Sequence, residues 1–225
     1  MEYCKNETIL KDFYLKNGLT SRFNNDNLYL ENAFNEINRI WSENLNEIEK
    51  VNFVLIAEAP LWGQTKKYIY NPAVNNSQFF YRSDLSDILN IQIANKLEFL
   101  KILNKIGFVV VDISPFPLNP KNTAINYRDL SINQYRQLVS MTLPYFFNEK
   151  IKEISNKKSE NCKVFFRYTR VKNIFEDLII KTLVDHKMVT TIDELSDISQ
   201  KGGGINKPML GKILKSELKY EFKPN

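Results

Sequence analysis

Apolar positions recur along this chain with two different periods, and the switches between them delimit its elements. Val51-Asn52-Phe53-Val54-Leu55-Ile56-Ala57 is nearly continuous in apolar, largely β-branched residues, the pattern of a short strand buried on both faces of a parallel sheet. Phe108-Val109-Val110-Val111-Asp112-Ile113-Ser114 repeats it, Cys162-Lys163-Val164-Phe165-Phe166-Arg167 supplies a third strand, and Met188 to Thr191 a short fourth. Around these runs the period lengthens to three and four. Ile9, Leu10, Phe13, Tyr14 and Leu15 predict one amphipathic helix ending near Gly18. Leu28, Leu30, Ala33, Phe34, Ile37, Ile40, Trp41 and Leu45 predict another, with Trp41 on its packing face. Ile91 to Ile106 reads as a helix with Ile93, Leu97, Leu100, Leu103 and Ile106 on one stripe and Gly107 closing it. Further helices follow over Ser131 to Ile154, divided by Pro144, over Val171 to Val184, and over Met209 to Leu218.

A helix between two buried strands implies a right-handed crossover. The order of elements therefore predicts a three-layer α/β/α architecture around a mostly parallel four-stranded sheet. A chain of 225 residues suits a single domain, residues 1–225, with N-terminal helices over 1–48 and an α/β core over 51–218.

Charge and cysteine usage narrow the setting. Lys and Arg number 31 against 26 Asp and Glu, a net charge of +5, which permits contact with nucleic acid but also serves plain solubility. Cys4 and Cys162 are far apart and match no zinc or disulfide spacing, so reduced thiols are expected. No apolar run reaches the length of a membrane helix, and the amino terminus carries Glu2, Lys5 and Glu7 in place of an apolar secretory segment. A cytoplasmic monomer without membrane contact is the expectation.

Candidate chemistry concentrates where the first strand breaks. Glu58-Ala59-Pro60-Leu61-Trp62-Gly63-Gln64 puts a carboxylate and an indole at the carboxyl edge of the sheet, the edge at which open α/β sheets bind ligands. A carboxylate there can orient or deprotonate a water; it can equally cap the next turn. Asp112 ends the second strand, and the proline-rich loop from Ser114 to Asn122 follows. Gly202, Gly203 and Gly204 form the one glycine cluster, ahead of Asn206-Lys207-Pro208-Met209-Leu210. His186 is the single histidine and belongs to no motif, which argues against a catalytic triad and a histidine metal site.

Ala57-Glu58-Ala59-Pro60-Leu61 resembles the Gly-Glu-Ala-Pro-Gly motif of the iron-sulfur branch of the uracil-DNA glycosylase superfamily. The stretch from Gln78 to Leu89 is similar to that branch's Pro-Phe-x-Gly-Arg-x-Gly-x-Leu-Leu motif, aligning Phe79 and Arg82, with the apolar pair Ile88 and Leu89 two residues beyond the motif's Leu-Leu. The resemblance spans Val51 to Leu210. It implies a uracil-DNA glycosylase-like fold and a DNA base-excision N-glycosylase, which flips a base out of the stack and hydrolyses its bond to the sugar without a cofactor. Under it, Glu58 handles the water, Ala59 borders the base, and Phe79 stacks on it, while Tyr81 replaces a small glycine and reshapes the pocket. Asp112 reads the base edge, and Ser114 and Lys121 meet the DNA backbone. Gly203, Gly204 and Asn206 belong to the DNA-contacting loop, whose glycine amides can cradle phosphate, and Met209 or Leu210 is the wedge. Lys207 stands in for a histidine that stabilises the departing base.

The chain also departs from that family. Two cysteines cannot supply the four thiolates of a cluster, so neither a cluster nor any other cofactor is expected. Asp112 replaces an asparagine; an ionised aspartate only accepts hydrogen bonds, which favours an exocyclic amine and a base other than uracil. These departures leave two other readings open. One is a catalytically inactive glycosylase-like module that binds nucleic acid or a nucleotide, and the other an unrelated α/β enzyme acting on a free nucleotide.

Overall fold

A computed structural model of the chain describes residues 1–75, 82–118, 123–201 and 204–217. Four strands, β1 (Val51–Ala57), β2 (Phe108–Asp112), β3 (Lys158–Phe166) and β4 (Ser196–Asp197), form one sheet in the order β2-β1-β3-β4, with every neighbouring pair parallel. β1 is central, and Phe53 to Ala57 have no exposed surface. That double-sided burial is why its sequence is continuously apolar and does not alternate.

Helices α1 (Tyr3–Lys16) and α2 (Thr20–Asn46) precede the sheet. α3 (Arg82–Leu89) and α4 (Lys96–Lys105) connect β1 to β2, α5 (Ile132–Thr142) and α6 (Phe147–Ser155) connect β2 to β3, α7 (Thr169–Asp185) follows β3, and α8 (Lys207–Glu217) follows β4. β2 and β3 flank β1 on opposite sides, so right-handed crossovers send the two sets of connecting helices to opposite faces. α3 accordingly packs on α8, whereas α5 and α6 pack on α7, and α1 packs on α5. The result is a three-layer α/β/α fold. The chain leaving β1 diverges from the chains leaving β2 and β3, which opens a crevice at the carboxyl end of β1.

The outer edge of β2 is covered. Val110 N–H donates to the Tyr70 hydroxyl at 2.5 Å, and the Trp41 indole N–H donates to the Val110 carbonyl at 2.9 Å, which removes one template for strand addition. Gly107 turns the chain from α4 into β2 at φ +70, and a Cβ there would meet the Lys50 carbonyl at 2.1 Å. Gly107→Ala is expected to cost at least about 2 kcal/mol through backbone strain and that clash, read as a lower urea midpoint.

Several element boundaries differ from the sequence expectation. The fourth strand is Ser196–Asp197, not Met188 to Thr191: Lys187 at φ +55 and the Met188 N–H to Leu183 carbonyl bond turn the chain off α7, and Met188 and Val189 are buried as loop residues. α2 begins at Thr20, and Leu28, expected on its packing face, is 66 % exposed. α4 starts only after Asn95, whose side chain caps Glu98 N–H. Its buried stripe is Lys96, Phe99 and Leu103, with Leu97 exposed. Pro144 does divide its helix, producing a 3-10 turn over Leu143–Tyr145 between α5 and α6. No helix among the described residues is long and apolar enough to cross a membrane.

Candidate functional site

Glu58 directly follows β1 and is 7 % exposed. Its backbone is clamped: the carbonyl accepts from Ser114 N–H at 3.0 Å and from the Tyr135 hydroxyl at 3.2 Å. One carboxylate oxygen, Oε1, accepts from Nη1 of Arg170 at 2.9 Å. Arg170 sits in the first turn of α7, just past β3, so this ion pair spans the crevice between the carboxyl ends of β1 and β3. Burial pushes the Glu58 carboxyl above the usual carboxylate range, and the Arg170 guanidinium pulls it part of the way back. Arg170 keeps 56 % of its side chain in solvent. With Asn126, Tyr127, Ser131 and Tyr135 it lines a narrow cleft of ≈ 20 Å³, room for about one water.

Asp112 ends β2 in register with Ala57. It is 3 % exposed, and its Oδ1 has no hydrogen-bond partner among the described residues. Desolvation raises its pKa to about 7, against the opposing pull of Lys150. Lys150, 1 % exposed on α6, is lowered to about 7 by the same desolvation, with Asp112 opposing. Its ammonium lies 3.8 Å from the centre of the Trp41 ring, a favourable cation–π contact in desolvated surroundings. Asp112 is therefore not the plainly ionised acceptor expected from the sequence, because near neutral pH it competes with Lys150 for protons.

Of the remaining candidates, Ala59 and Ser114 lie beside Glu58, whereas Lys207 is paired with α3 and Met209 lies along β3. Ala59 is fully buried behind Glu58. Ser114 is fully buried, its hydroxyl donating to the Phe116 carbonyl and accepting from Phe116 N–H, so it braces its own loop. The Gly204 carbonyl accepts from Gln200 N–H at 2.9 Å and from Arg167 Nη1 at 3.2 Å. The Asn206 side chain accepts from Met209 N–H at 3.1 Å, capping α8. Lys207 donates to Asp87 at 2.6 Å and lies 3.3 Å from Asp84, both on α3. Met209 lines a groove between β3 and α8. Phe79, Tyr81, Lys121 and Gly203 lie outside the described residues.

Sequence reasoning missed Arg170 and Lys150, although each carries a signal. Arg170 follows β3 as Glu58 follows β1, so the carboxyl-edge argument applies to both. Lys150 falls on the apolar period Phe147, Ile151, Ile154 of α6, where a lysine is out of place. Among the described residues no group of three or more His, Cys, Asp or Glu side chains is placed to hold a metal ion. No known family model, curated protein or solved structure matches this chain. The reading of the site rests on its geometry and on the two motifs.

Proposed function

We propose that this chain is a DNA base-excision N-glycosylase that removes a damaged or modified base. The observation that carries the reading is Glu58: a buried carboxylate at the carboxyl end of the central strand, kept toward its ionised form by a cation across the crevice. A carboxylate so placed can take a proton from water as the water oxygen bonds to the sugar's anomeric carbon and the base leaves with the bonding electron pair. Under this reading Asp112, at the end of the neighbouring strand, reads the edge of a flipped base. For Lys207 to ease the departing base, its ammonium has to exchange Asp87 or Asp84 for the substrate.

Two contacts favour the alternative, a catalytically inactive nucleic-acid or nucleotide-binding module. Glu58 already holds Arg170, and Lys207 already holds two aspartates. Duplex and single-stranded DNA carrying uracil, hypoxanthine or modified cytosines, scored for abasic sites, separates the two. Base loss on a member of that panel is the expected result, and binding to the panel without base loss replaces the glycosylase reading with the module.

A further inference from the structure

Helices α3 and α8 border a cleft of ≈ 470 Å³, within the roughly 300–1,000 Å³ of small-ligand sites. Its α8 wall is basic. Lys207, Gly211 and Lys215 follow one another at four-residue spacing, with Lys212 beside them, and positions three and four apart share a helix face. All four line the cleft. Part of the lining is apolar: Ile88 of α3 lies over Gly211, where an added Cβ would meet the Ile88 Cγ2 at 3.6 Å.

The charge in the cleft is unbalanced. Three lysines line it against one acid, Asp87. Lys207 lies 2.6 Å from Asp87 and 3.3 Å from Asp84, whereas Lys212 and Lys215 are exposed and have no ion-pair partner among the described residues. The two aspartates differ in kind. Asp84 keeps 13 % of its side chain in solvent and Asp87 keeps 60 %. An ion pair as exposed as Lys207–Asp87 adds little stability, so Asp87 is a carboxylate that a stronger anion can turn out into solvent.

We infer that the α3–α8 cleft holds a backbone phosphate of nucleic acid, with Lys212 and Lys215 as its ligands and Asp87 as a competing anion. Lysine ammonium groups bind phosphate as point charges, and the apolar Ile88–Gly211 contact beside them suits the attached sugar. A phosphate seated there repels Asp87 and loosens its hold on Lys207. The inference rests on the nucleic-acid-binding part of the reading above, which the glycosylase and the inactive module share, and not on catalysis.

The test titrates the full chain with a fluorescent single-stranded oligonucleotide over about 50–200 mM salt. Lys212→Ala/Lys215→Ala should weaken binding at least about fivefold and flatten the slope of log affinity against log salt by about 0.7 per lost contact. Lys11→Ala/Lys181→Ala, at exposed positions of α1 and α7 in the opposite layer, makes the same change in net charge and serves as the reference. Asp87→Asn should tighten binding several-fold, and more than Asp185→Asn at an exposed position of α7. All these positions are exposed, and unchanged thermal midpoints confirm that each variant folds. Equal weakening by the two lysine pairs would reduce the effect to net charge and overturn the inference while leaving nucleic-acid binding intact. An Asp87→Asn chain that binds no tighter than Asp185→Asn overturns it too, as does displacement of the oligonucleotide by a nucleoside monophosphate or poly-glutamate as readily as by an abasic strand. A wild type that binds no nucleic acid removes the reading and this inference together. Binding that the Lys212/Lys215 pair carries, without abasic-site formation, defeats the glycosylase reading and leaves the cleft standing.

Discussion

If the chain is the proposed glycosylase, Glu58→Gln is expected to lose base release by about 10²- to 10⁴-fold, the usual worth of a positioned general base, and to keep its fold and its affinity for DNA. The amide retains an oxygen that can accept from Arg170, so the contact seen at 2.9 Å persists, while the amide cannot take a proton from water at neutral pH. Single-turnover formation of abasic sites with protein in excess isolates the chemical step, and fluorescence anisotropy follows binding. An undiminished rate removes Glu58 from the chemistry. The pH profile adds a signed expectation. Because burial raises the Glu58 pKa and Arg170 lowers it, wild-type activity should fall on acidification at a pH above the ordinary carboxylate range. Arg170→Gln should move that limb to still higher pH, because the cation favouring the ionised form is gone.

Lys150→Met is expected to cost about 1 kcal/mol or more of extra stability at pH 8 compared with pH 5, because methionine has no alkaline recovery and does not offset the Asp112 carboxylate. The signs follow from the two shifts. Asp112 is raised to about 7, so its contribution to stability is complete below its unfolded value and is lost as pH rises through about 7. Lys150 is lowered to about 7, so its contribution is complete above its unfolded value and is lost as pH falls through about 7. The pair alone thus produces a dip in wild-type stability near neutrality. Methionine removes the alkaline recovery and pushes Asp112 higher still, by deleting the one cation that lowers it. At pH 5 Asp112 is neutral, and a methionine fills the slot under Trp41 without a charge to desolvate. Urea unfolding at both pH values measures the difference, and equal losses at pH 5 and 8 would refute the coupling. Combining Lys150→Met with Asp112→Asn should recover most of the loss at pH 8, since no buried charge is then left unpaired.

Much of the framework was legible in local pattern. β1 and β2 lie where continuous apolar runs predicted them, since burial on both faces leaves polar residues only near the strand ends, Asn52 in β1 and Asp112 in β2. Gly107 ends its helix because only a left-handed residue without a Cβ fits against the Lys50 carbonyl. Periodicity misled where tertiary context outweighed it. Met188 and Val189 are apolar because they are buried, yet their segment makes no ladder, and the strand beside β3 is the short, half-buried Ser196–Asp197, which has no apolar pattern to find. Leu28 and Leu97 fit a helical stripe on paper, but their helices are rotated so that other positions meet the core.

The site divides along the same line. Sequence alone determined that a carboxylate, Glu58, leaves the first strand at the edge where such sheets bind ligands, because strand and breaker are adjacent in the chain. Only the tertiary structure decided what faces that carboxylate: Arg170 lies 112 residues away, and Asp112 is coupled to Lys150 on another layer. The physical reason is that apolar burial writes itself into neighbouring positions, whereas electrostatic partnership and desolvation depend on which distant side chains the sheet order and crossovers bring together.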